Sequence, residues 1–290
     1  MTNDISPSPI DAPYAQDLAV SLQPGEAAVV LALPFEERNT MFGHIHGGAL
    51  ASLVPISTSS SMRARGAAAA ELSTVSLHVD YVRAARKPVV AETRSVRRAR
   101  ELEFFETRIT DVDGNAIALA SSIVRQGTSP GPAEIAGPSQ RPLGSASREV
   151  ESAIQEAIAA SPFLSRRRVS LAGAARGAVE LSLSAAPVNL DRTGSVHEGA
   201  VLSLLDAAGA TCPWTVVPAT AGAGGATIAL HAQILGPLPA ADLVARAAVR
   251  AHKDRVHWVD VTVTSPATGD VHALGTVVYR FNEASVIGST

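Results

Sequence analysis

Alternating apolar and polar residues predict a series of β-strands in the first half of the chain. Residues 74–83 (TVSLHVDYVR) alternate with a period of two, and one face of this strand carries Val75, Leu77, Val79 and Tyr81. Residues 46–65 are rich in Ala, Leu and Ser and predict a long helix. Further strands are predicted at 25–34, 89–97, 103–110 and 116–125. The predicted order is one strand, one long helix and a meander of four antiparallel strands.

The second half of the chain repeats this order. A strand is predicted at residues 178–185 and a second long helix begins at His197. The strands that follow are predicted at 226–235, 243–251, 257–264 and 271–281. One long helix followed by antiparallel strands, taken twice, predicts an α+β fold in which each antiparallel sheet wraps around a central helix, the two halves pairing as a pseudo-dimer.

Individual residues recur at a nearly constant offset, which indicates a duplicated domain. His46 and His197 are 151 positions apart, and Thr74 and Thr227 are 153 apart. Such a slow drift is typical of short loop insertions between two copies of one domain. The predicted organisation is a disordered tail at 1–13, a first domain at 14–126, a Pro/Gly/Ser-rich linker at 127–147, a second domain at 148–282 and a C-terminal tail at 283–290.

The two copies have kept different residues at matching positions. The first helix begins with His46-Gly47-Gly48, and the second begins with His197-Glu198-Gly199. Nine residues after the histidine, the first copy has Pro55 and the second has Asp206. If the halves face each other, they form one complete site rather than two. Pro55 also predicts a kink or local widening of its helix, because proline removes a helical hydrogen bond.

Charge, cysteine content and hydropathy restrict the class of protein. The chain has 24 Lys and Arg against 27 Asp and Glu, so nucleic acid and anionic membrane surfaces are not expected partners. Cys212 is the single cysteine, which excludes an intramolecular disulfide and favours a reducing cytoplasm. No signal peptide or membrane span is expected. His44 and His46 lack Cys or acidic residues at ligand spacing, so no metal site is expected.

Gly47 and Asp206 are the residues best suited to chemistry. A glycine at the start of a long helix offers an unpaired backbone N–H to a developing oxyanion, although the same glycine could merely allow a tight helix entry. Asp206 lies in an apolar helical run (VLSLLDAAGA), where a carboxylate is seldom buried without a task. Asp206 could be a general base, a nucleophile, an exposed residue or a structural hydrogen-bond acceptor.

These motifs resemble those of the hotdog-fold superfamily, and within it the acyl-CoA thioesterases of the phenylacetate-pathway type. The family pattern is Asn, Gly, His-Gly-Gly, a helical carboxylate nine residues after the histidine, a Ser or Thr on the next strand, and a Tyr-x-x-Pro-like strand end. The first copy shows Asn39, Gly43, His46-Gly47-Gly48, Thr74 and Asp80-Tyr81. The second shows Asn189, Gly194, His197, Gly199, Asp206 and Thr227. The resemblance covers residues 15–282.

The resemblance implies a hydrolase site shared between the two halves. The oxyanion donor Gly47, with His46 and Asn39, would face Asp206 and Thr227; Asn39 would hold the lytic water, and Thr227 would support the carboxylate or the water. The implied substrate-binding residues are Gly48, Thr74, Arg97 and Arg98, the arginines meeting the phosphates of coenzyme A or else lying on a solvated strand edge. Coenzyme A enters only as part of the substrate, and no separate cofactor is implied.

The resemblance also implies a degenerate reciprocal site and leaves other functions open. That site would combine Pro55, Thr74, Asn189, His197, Glu198 and Gly199, and because no base stands at position 55 we expect it to be inactive or only to bind. The alternatives are a non-catalytic acyl-CoA-binding or regulatory protein and an enoyl-CoA hydratase. Exposed sheet edges would permit a homo-oligomer.

Overall fold

The structure is a computed structural model that describes residues 9–23, 28–67, 72–127, 143, 146–217 and 224–282. The beginning of the predicted N-terminal tail, most of the predicted linker at 127–147 and the predicted C-terminal tail at 283–290 lie outside these residues. In the part of the chain that is described, no helix has both the length and the apolar character needed to cross a membrane.

The elements confirm two copies of one arrangement. The α-helices are α1 (Pro13–Asp17), α2 (Gly47–Arg63), α3 (Arg148–Ala159), α4 (Pro162–Arg166) and α5 (Glu198–Thr211). The strands of the first half are β1 (Ser21–Gln23), β2 (Val29–Leu33), β3 (Thr40–Met41), β4 (His44–Ile45), β5 (Leu72–Tyr81), β6 (Val89–Arg98), β7 (Leu102–Asp111) and β8 (Ala116–Gln126). Those of the second are β9 (Val169–Ala175), β10 (Ala178–Leu183), β11 (Gly225–Ile234), β12 (Leu243–Lys253), β13 (Val256–Thr264) and β14 (Val271–Phe281).

Twelve strands of the described chain form one antiparallel sheet in the order β1-β2-β6-β7-β8-β5-β11-β14-β13-β12-β10-β9. The prediction of a four-stranded meander is wrong in one respect, because β5 pairs with β8 instead of β6. Strand β6 pairs with β2 on its other side. This crossover leaves one edge of β5 available to β11, so the two halves join by backbone hydrogen bonds across the middle of the sheet.

The two long helices lie in the concave side of the sheet and pack against each other in antiparallel directions. The start of α2, at Gly48, lies against Ser203 of α5, and the start of α5, at Gly199, lies against Ser52 of α2. The hydroxyls of both serines are buried, and each donates a hydrogen bond to a backbone carbonyl of its own helix. Ser52 donates to Gly48 at 2.6 Å, and Ser203 donates to Gly199 at 2.8 Å. Serine is therefore tolerated in the core because its polar group is satisfied locally.

Helix α2 runs unbroken from Gly47 to Arg63 with Pro55 inside it. Strand β5 differs from the predicted alternation at one residue. Leu77 and Val79 are buried as expected, whereas Val75 is exposed because the register with β8 shifts between Thr74 and Ser76. Such a bulge adds one residue to the strand and redirects the side chains around it.

The N-terminal segment is more ordered than predicted. Residues Pro9–Asp11 form a 3-10 turn inside the predicted tail of residues 1–13, and α1 follows at once. Tyr14 of α1 is fully buried, and its backbone N–H donates to the carbonyl of Leu190 in the second half. Its hydroxyl contacts Ser52 at 2.7 Å and Ser203 at 2.9 Å, so Tyr14 bridges the two long helices. The burial of Tyr14 thus anchors the described residues 9–13 that precede it, which the composition predicts to be disordered.

Candidate functional site

Helix α2 begins at a histidine whose ring is held in one protonation state and one tautomer. His46 is the N-cap of α2, and its Nδ1 accepts the backbone N–H of Gly48 at 2.9 Å. The neutral ring therefore carries its proton on Nε2. Burial lowers the pKa of His46 to about 3, so the ring is neutral at physiological pH. The ring also stacks on Phe163 of α4, in the other half, with centroids 4.6 Å apart.

Asp206 comes from the opposite half and lies directly at this helix start. Its carboxylate is buried, and its Oδ1 accepts the hydroxyl of Thr227 at 2.7 Å. Burial raises the pKa of Asp206 to about 6, while the hydrogen bonds from Thr227 and from the backbone N–H of Gly48 oppose that rise. A carboxyl with this pKa is largely ionised at neutral pH and is a stronger proton acceptor than an exposed aspartate.

His46 and Asp206 touch without forming an ion pair. The His46 Nδ1 and Asp206 Oδ2 atoms are 3.4 Å apart, within the range of a salt bridge. The ring is neutral, however, and Nδ1 already accepts a hydrogen bond from Gly48. The two atoms are joined instead through the Gly48 N–H, which approaches both of them. The role of His46 is therefore to fix the helix start against the carboxylate.

Gly47 is the first residue of α2, so its backbone N–H has no partner within the helix. A Cβ atom on Gly47 would lie 2.7 Å from Asp206 Oδ2, which means that only glycine fits here without displacing the carboxylate. The hydroxyl of Tyr81, at the end of β5, donates to the Gly47 carbonyl at 3.0 Å. Tyr81 thereby fixes the orientation of the peptide group that follows Gly47. Burial raises the pKa of Tyr81 well above its usual value, so it stays a donor.

Asn39 supports the backbone around the start of α2. Its side-chain nitrogen donates to the carbonyls of Leu18 at 2.9 Å and Pro34 at 3.3 Å, so both of its N–H groups are used on the backbone. Its own carbonyl accepts the N–H of His46 at 2.9 Å. These contacts make Asn39 a fixed support for the start of α2. A water held by Asn39 would have only its Oδ1 to bind.

The arrangement is thus an N–H donor on one helix facing a buried carboxylate on the other, at the junction of two similar halves. A sequence model of the thioesterase superfamily matches residues 42–118, which include His46 and Tyr81. No curated protein matches the chain.

Several solved structures resemble the chain over most of its length. A putative thioesterase II from Thermobifida fusca has 16% identity and a TM-score of 0.67, and the match covers 93% of this chain and 97% of that one. A hot dog fold protein from Alicyclobacillus acidocaldarius gives 14% identity, a TM-score of 0.65, and 92% and 97% coverage. An acyl-CoA thioesterase II from Mycobacterium marinum gives 12%, 0.61, and 93% and 97%. The chain is a double hotdog.

The other end of the double hotdog contains the Glu198 carboxylate, whose contacts the sequence could not specify. Glu198, the residue in the place of Gly47, directs its side chain to Thr74. Its Oε1 accepts the Thr74 backbone N–H at 2.9 Å, and its Oε2 accepts the Thr74 hydroxyl at 2.6 Å. Burial raises the pKa of Glu198, and the two Thr74 bonds oppose the rise. Position 55 carries no base, as the sequence shows, and the carboxylate at this end comes from Glu198 on the other helix.

Arg97 and Arg98 belong to this second end of the molecule. Arg98 pairs with Glu103, which lies opposite Val124, and Val124 in turn lies opposite Thr74. Thr227 lies at the opposite end of the β5–β11 pair from Thr74. At a rise of about 3.3 Å per residue along a strand, the two threonines are about 25 Å apart. The predicted substrate-binding arginines and Thr74 therefore lie near Glu198 and not near Asp206.

Several features of the double hotdog have no clear signal in the sequence. Tyr14 stacks on His197 with centroids 4.8 Å apart, as Phe163 does on His46, so each half supplies an aromatic ring to the other half's histidine. Tyr81 is part of the recognised strand-end motif, but its bond to Gly47 depends on how β5 approaches α2. Both threonines directly precede a bulge, at Thr74/Ser76 and Thr227/Ala229, and a bulge leaves no mark in the alternation.

Proposed function

We propose that this double hotdog is an acyl-CoA thioesterase whose principal site is shared between its halves. The observation that carries the proposal is the meeting of Gly47 and Asp206, which puts an unpaired helix N–H and a buried carboxylate into one small space. The match of residues 42–118 to the thioesterase superfamily supports it. The acyl-CoA thioesterase II title of one structural neighbour suggests coenzyme A as the thiol portion.

In this mechanism the thioester carbonyl oxygen accepts the Gly47 N–H at the positive end of α2. Asp206 takes a proton from a water molecule while the water oxygen forms a bond to the carbonyl carbon. The charge that develops on the carbonyl oxygen is stabilised by the N–H, a contribution of about 3–4 kcal/mol. The C–S bond then breaks, and the departing thiolate receives the proton from Asp206. The products are a carboxylic acid and the free thiol.

The residues around Asp206 favour general-base catalysis over nucleophilic attack. Its Oδ1 is bonded to Thr227, and the Gly48 N–H also bonds to the carboxylate, so the group is held in place with a pKa of about 6. A single turnover in ¹⁸O-water with enzyme in excess tests for an anhydride that water opens at its aspartyl carbon. A general base leaves the Asp206 peptide unlabelled, whereas an anhydride attacked by water at its aspartyl carbon would introduce the label there.

The test of the function is hydrolysis of a panel of acyl-CoA thioesters, monitored by thiol release. Wild type should turn over at least one member, and Asp206→Asn should lower kcat/KM by about 10²-fold, the lower end of what a general base contributes. Asp260→Asn is the matched control, because Asp260 is a half-exposed aspartate on β13 that pairs with Arg250 on β12. Tight binding of acyl-CoA without turnover in wild type would refute the proposal and leave a binding protein.

We place the protein in the cytoplasm as part of the same proposal. Acyl-CoA thioesters are intracellular metabolites, and Cys212 is a buried free thiol. A hotdog enoyl-CoA hydratase typically carries its Asp in a Gly-Asp-x-Asn-Pro-like loop. Here Gly269-Asp270 is followed by Val271-His272 and lies in the turn between β13 and β14, so nothing in the structure favours that alternative.

A further inference from the structure

One steric constraint links the residues that differ between the two sites. It relates Gly47 to Asp206 at the first site and Glu198 to Pro55 at the second. A Cβ on Gly47 would lie 2.7 Å from Asp206 Oδ2, so a side chain at the first position and a carboxylate at the second exclude each other. The helix contacts are the same at both ends, Gly48 against Ser203 and Gly199 against Ser52. The side chain of Glu198 therefore requires a residue without a carboxylate at position 55.

The carboxylate of Glu198 is held in the same manner as that of Asp206. Each accepts the hydroxyl of a threonine that precedes a bulge, Thr74 at 2.6 Å and Thr227 at 2.7 Å. Each also accepts one backbone N–H, from Thr74 itself or from Gly48. The carboxyl that is absent from position 55 has thus been replaced by one that reaches the same threonine from the opposite helix.

The rest of the second helix start is intact. His197 caps α5 with its Nδ1, which accepts the Gly199 N–H at 2.9 Å, the same distance as at His46. Asn189 supports it as Asn39 does, its carbonyl accepting the His197 N–H at 2.8 Å. Glu198 is the first residue of α5, so its backbone N–H, like that of Gly47, has no partner within the helix.

An opening lies close to this end of the molecule. A surface cavity of about 140 Å³ is bordered by Met62, Arg65, Arg98 and Glu103. Glu103 is two strands from Thr74, about 10 Å at the usual strand spacing. Arg65 and Arg98 both contact Glu103. Three arginines, with Arg100 as the third, and two glutamates, Glu101 and Glu103, line the cavity, so its charged side chains carry a net positive charge. An anionic substrate therefore meets a favourable potential here.

We propose that this end is a second thioester-hydrolysing site, in which Glu198 supplies both the carboxylate and, through its backbone N–H, the oxyanion donor. The inference rests on the proposed function of the first site. Water adds to the carbonyl carbon as Glu198 accepts its proton, the C–S bond breaks, and the thiolate leaves with that proton. The base and the oxyanion donor of the second site both belong to Glu198, so we expect this site to be the slower of the two.

A purely structural role explains less well why the carboxylate of Glu198, a half-buried residue, is drawn into the protein. Burying a carboxylate costs several kcal/mol unless hydrogen bonds offset it, and an apolar residue would fill the same space without that cost. A carboxyl at a helix start that accepts two hydrogen bonds from one threonine, with a pKa raised by burial, is the pattern of a functional group.

The experiment compares four full-length proteins: wild type, Asp206→Asn, Glu198→Gln and the double variant. Short-chain acyl-CoA substrates are used, with thiol release as the readout. Glu198→Gln alone should remove only the share of kcat/KM that the second site contributes. Asp206→Asn should retain about 1% of the rate, and adding Glu198→Gln should lower that residual rate at least tenfold further. Glu180→Gln, on β10, is the matched control in the Asp206→Asn background and should leave the residual rate unchanged.

The outcomes separate this inference from the proposed function. A double variant equal to Asp206→Asn, with both well below wild type, overturns the second site and leaves the first in place. Full activity in Asp206→Asn overturns the first site. Glutamine keeps an oxygen that can accept the Thr74 N–H, which favours folding. If the double variant nevertheless unfolds, Thr74→Val in the Asp206→Asn background provides the same comparison, and a residual rate unchanged by it overturns the inference.

Discussion

Gly47 and Asp206, which belong to different halves of the chain, lie so close that a methyl group on the glycine would stand 2.7 Å from the aspartate Oδ2. This contact explains why the two halves differ at matching positions. Where the helix start is glycine, the facing helix retains a carboxylate. Where it is glutamate, the facing residue is Pro55, which bears no carboxylate.

Substituting Gly47 tests that contact. We expect Gly47→Ala to displace the Asp206 carboxylate and to lower kcat/KM by about 10²-fold, the effect of misplacing a catalytic group by about 1 Å. Gly173→Ala on β9 is the control, because a Cβ there meets only ordinary contacts, the nearest being Leu143 at 3.5 Å. Near-wild-type kinetics in Gly47→Ala would show that the carboxylate and the helix start do not act together.

Tyr81 offers a test of positioning as distinct from chemistry. Tyr81→Phe removes the hydrogen bond to the Gly47 carbonyl and leaves the ring in place. We expect kcat to fall about tenfold with KM changed less than twofold, together with a loss of about 1 kcal/mol in the free energy of unfolding. Steady-state kinetics and urea denaturation give the two values. A change confined to stability would mean that the orientation of this peptide is unimportant for turnover.

Thr227 should set the pH at which the site becomes active. Its hydroxyl stabilises the ionised form of Asp206, whose pKa is about 6. Thr227→Val removes that bond, so the pKa of Asp206 should rise by about one unit, the equivalent of one hydrogen bond to a charged group. The rising limb of kcat/KM against pH should move from about 6 towards 7, and Thr227→Ser should restore it. An unmoved limb would place the titration in another group.

Asp206 should also make stability depend on pH in a defined direction. Its pKa is raised from 3.8 to about 6 in the folded protein, so protonation favours the folded state. The stabilisation is complete below pH 3.8 and is lost as pH rises through 6, a change on the order of 3 kcal/mol at 1.36 kcal/mol per unit. The side-chain amide of the Asp206→Asn variant cannot titrate, so that variant lacks this dependence.

Denaturation of wild type and Asp206→Asn at pH 4.5 and pH 7.5 measures this difference. The variant should gain stability relative to wild type between the two pH values, by about 2 kcal/mol. His46 has the same surroundings in both proteins apart from this one carboxyl, so its contribution largely cancels. Parallel pH profiles for the two proteins would mean that Asp206 is not buried as an acid with a raised pKa.

Much of the architecture follows from periodicity, because local patterns are read along the chain. The offset between His46 and His197 predicts the duplication, and the apolar surroundings of Asp206 identify it as a candidate functional residue. Strand pairing is less accessible, since β5 could in principle pair with either β6 or β8 without any change in its own alternation. The sequence could not show the contacts of Asn39. Its amide donates to the backbone carbonyls of Leu18, in a turn, and Pro34, in a loop, and only the fold brings these to it.

By itself the sequence determined that two copies of one domain contribute a glycine helix start and a buried aspartate, because both are local features of single helices. Only the tertiary structure decided what Glu198 does, because a glutamate side chain can reach several positions and a residue 124 places away, Thr74, selects one of them. The same holds for the aromatic rings that Tyr14 and Phe163 place on the histidines of the opposite halves. Contacts across an interface depend on how the halves dock, and no short segment carries that information.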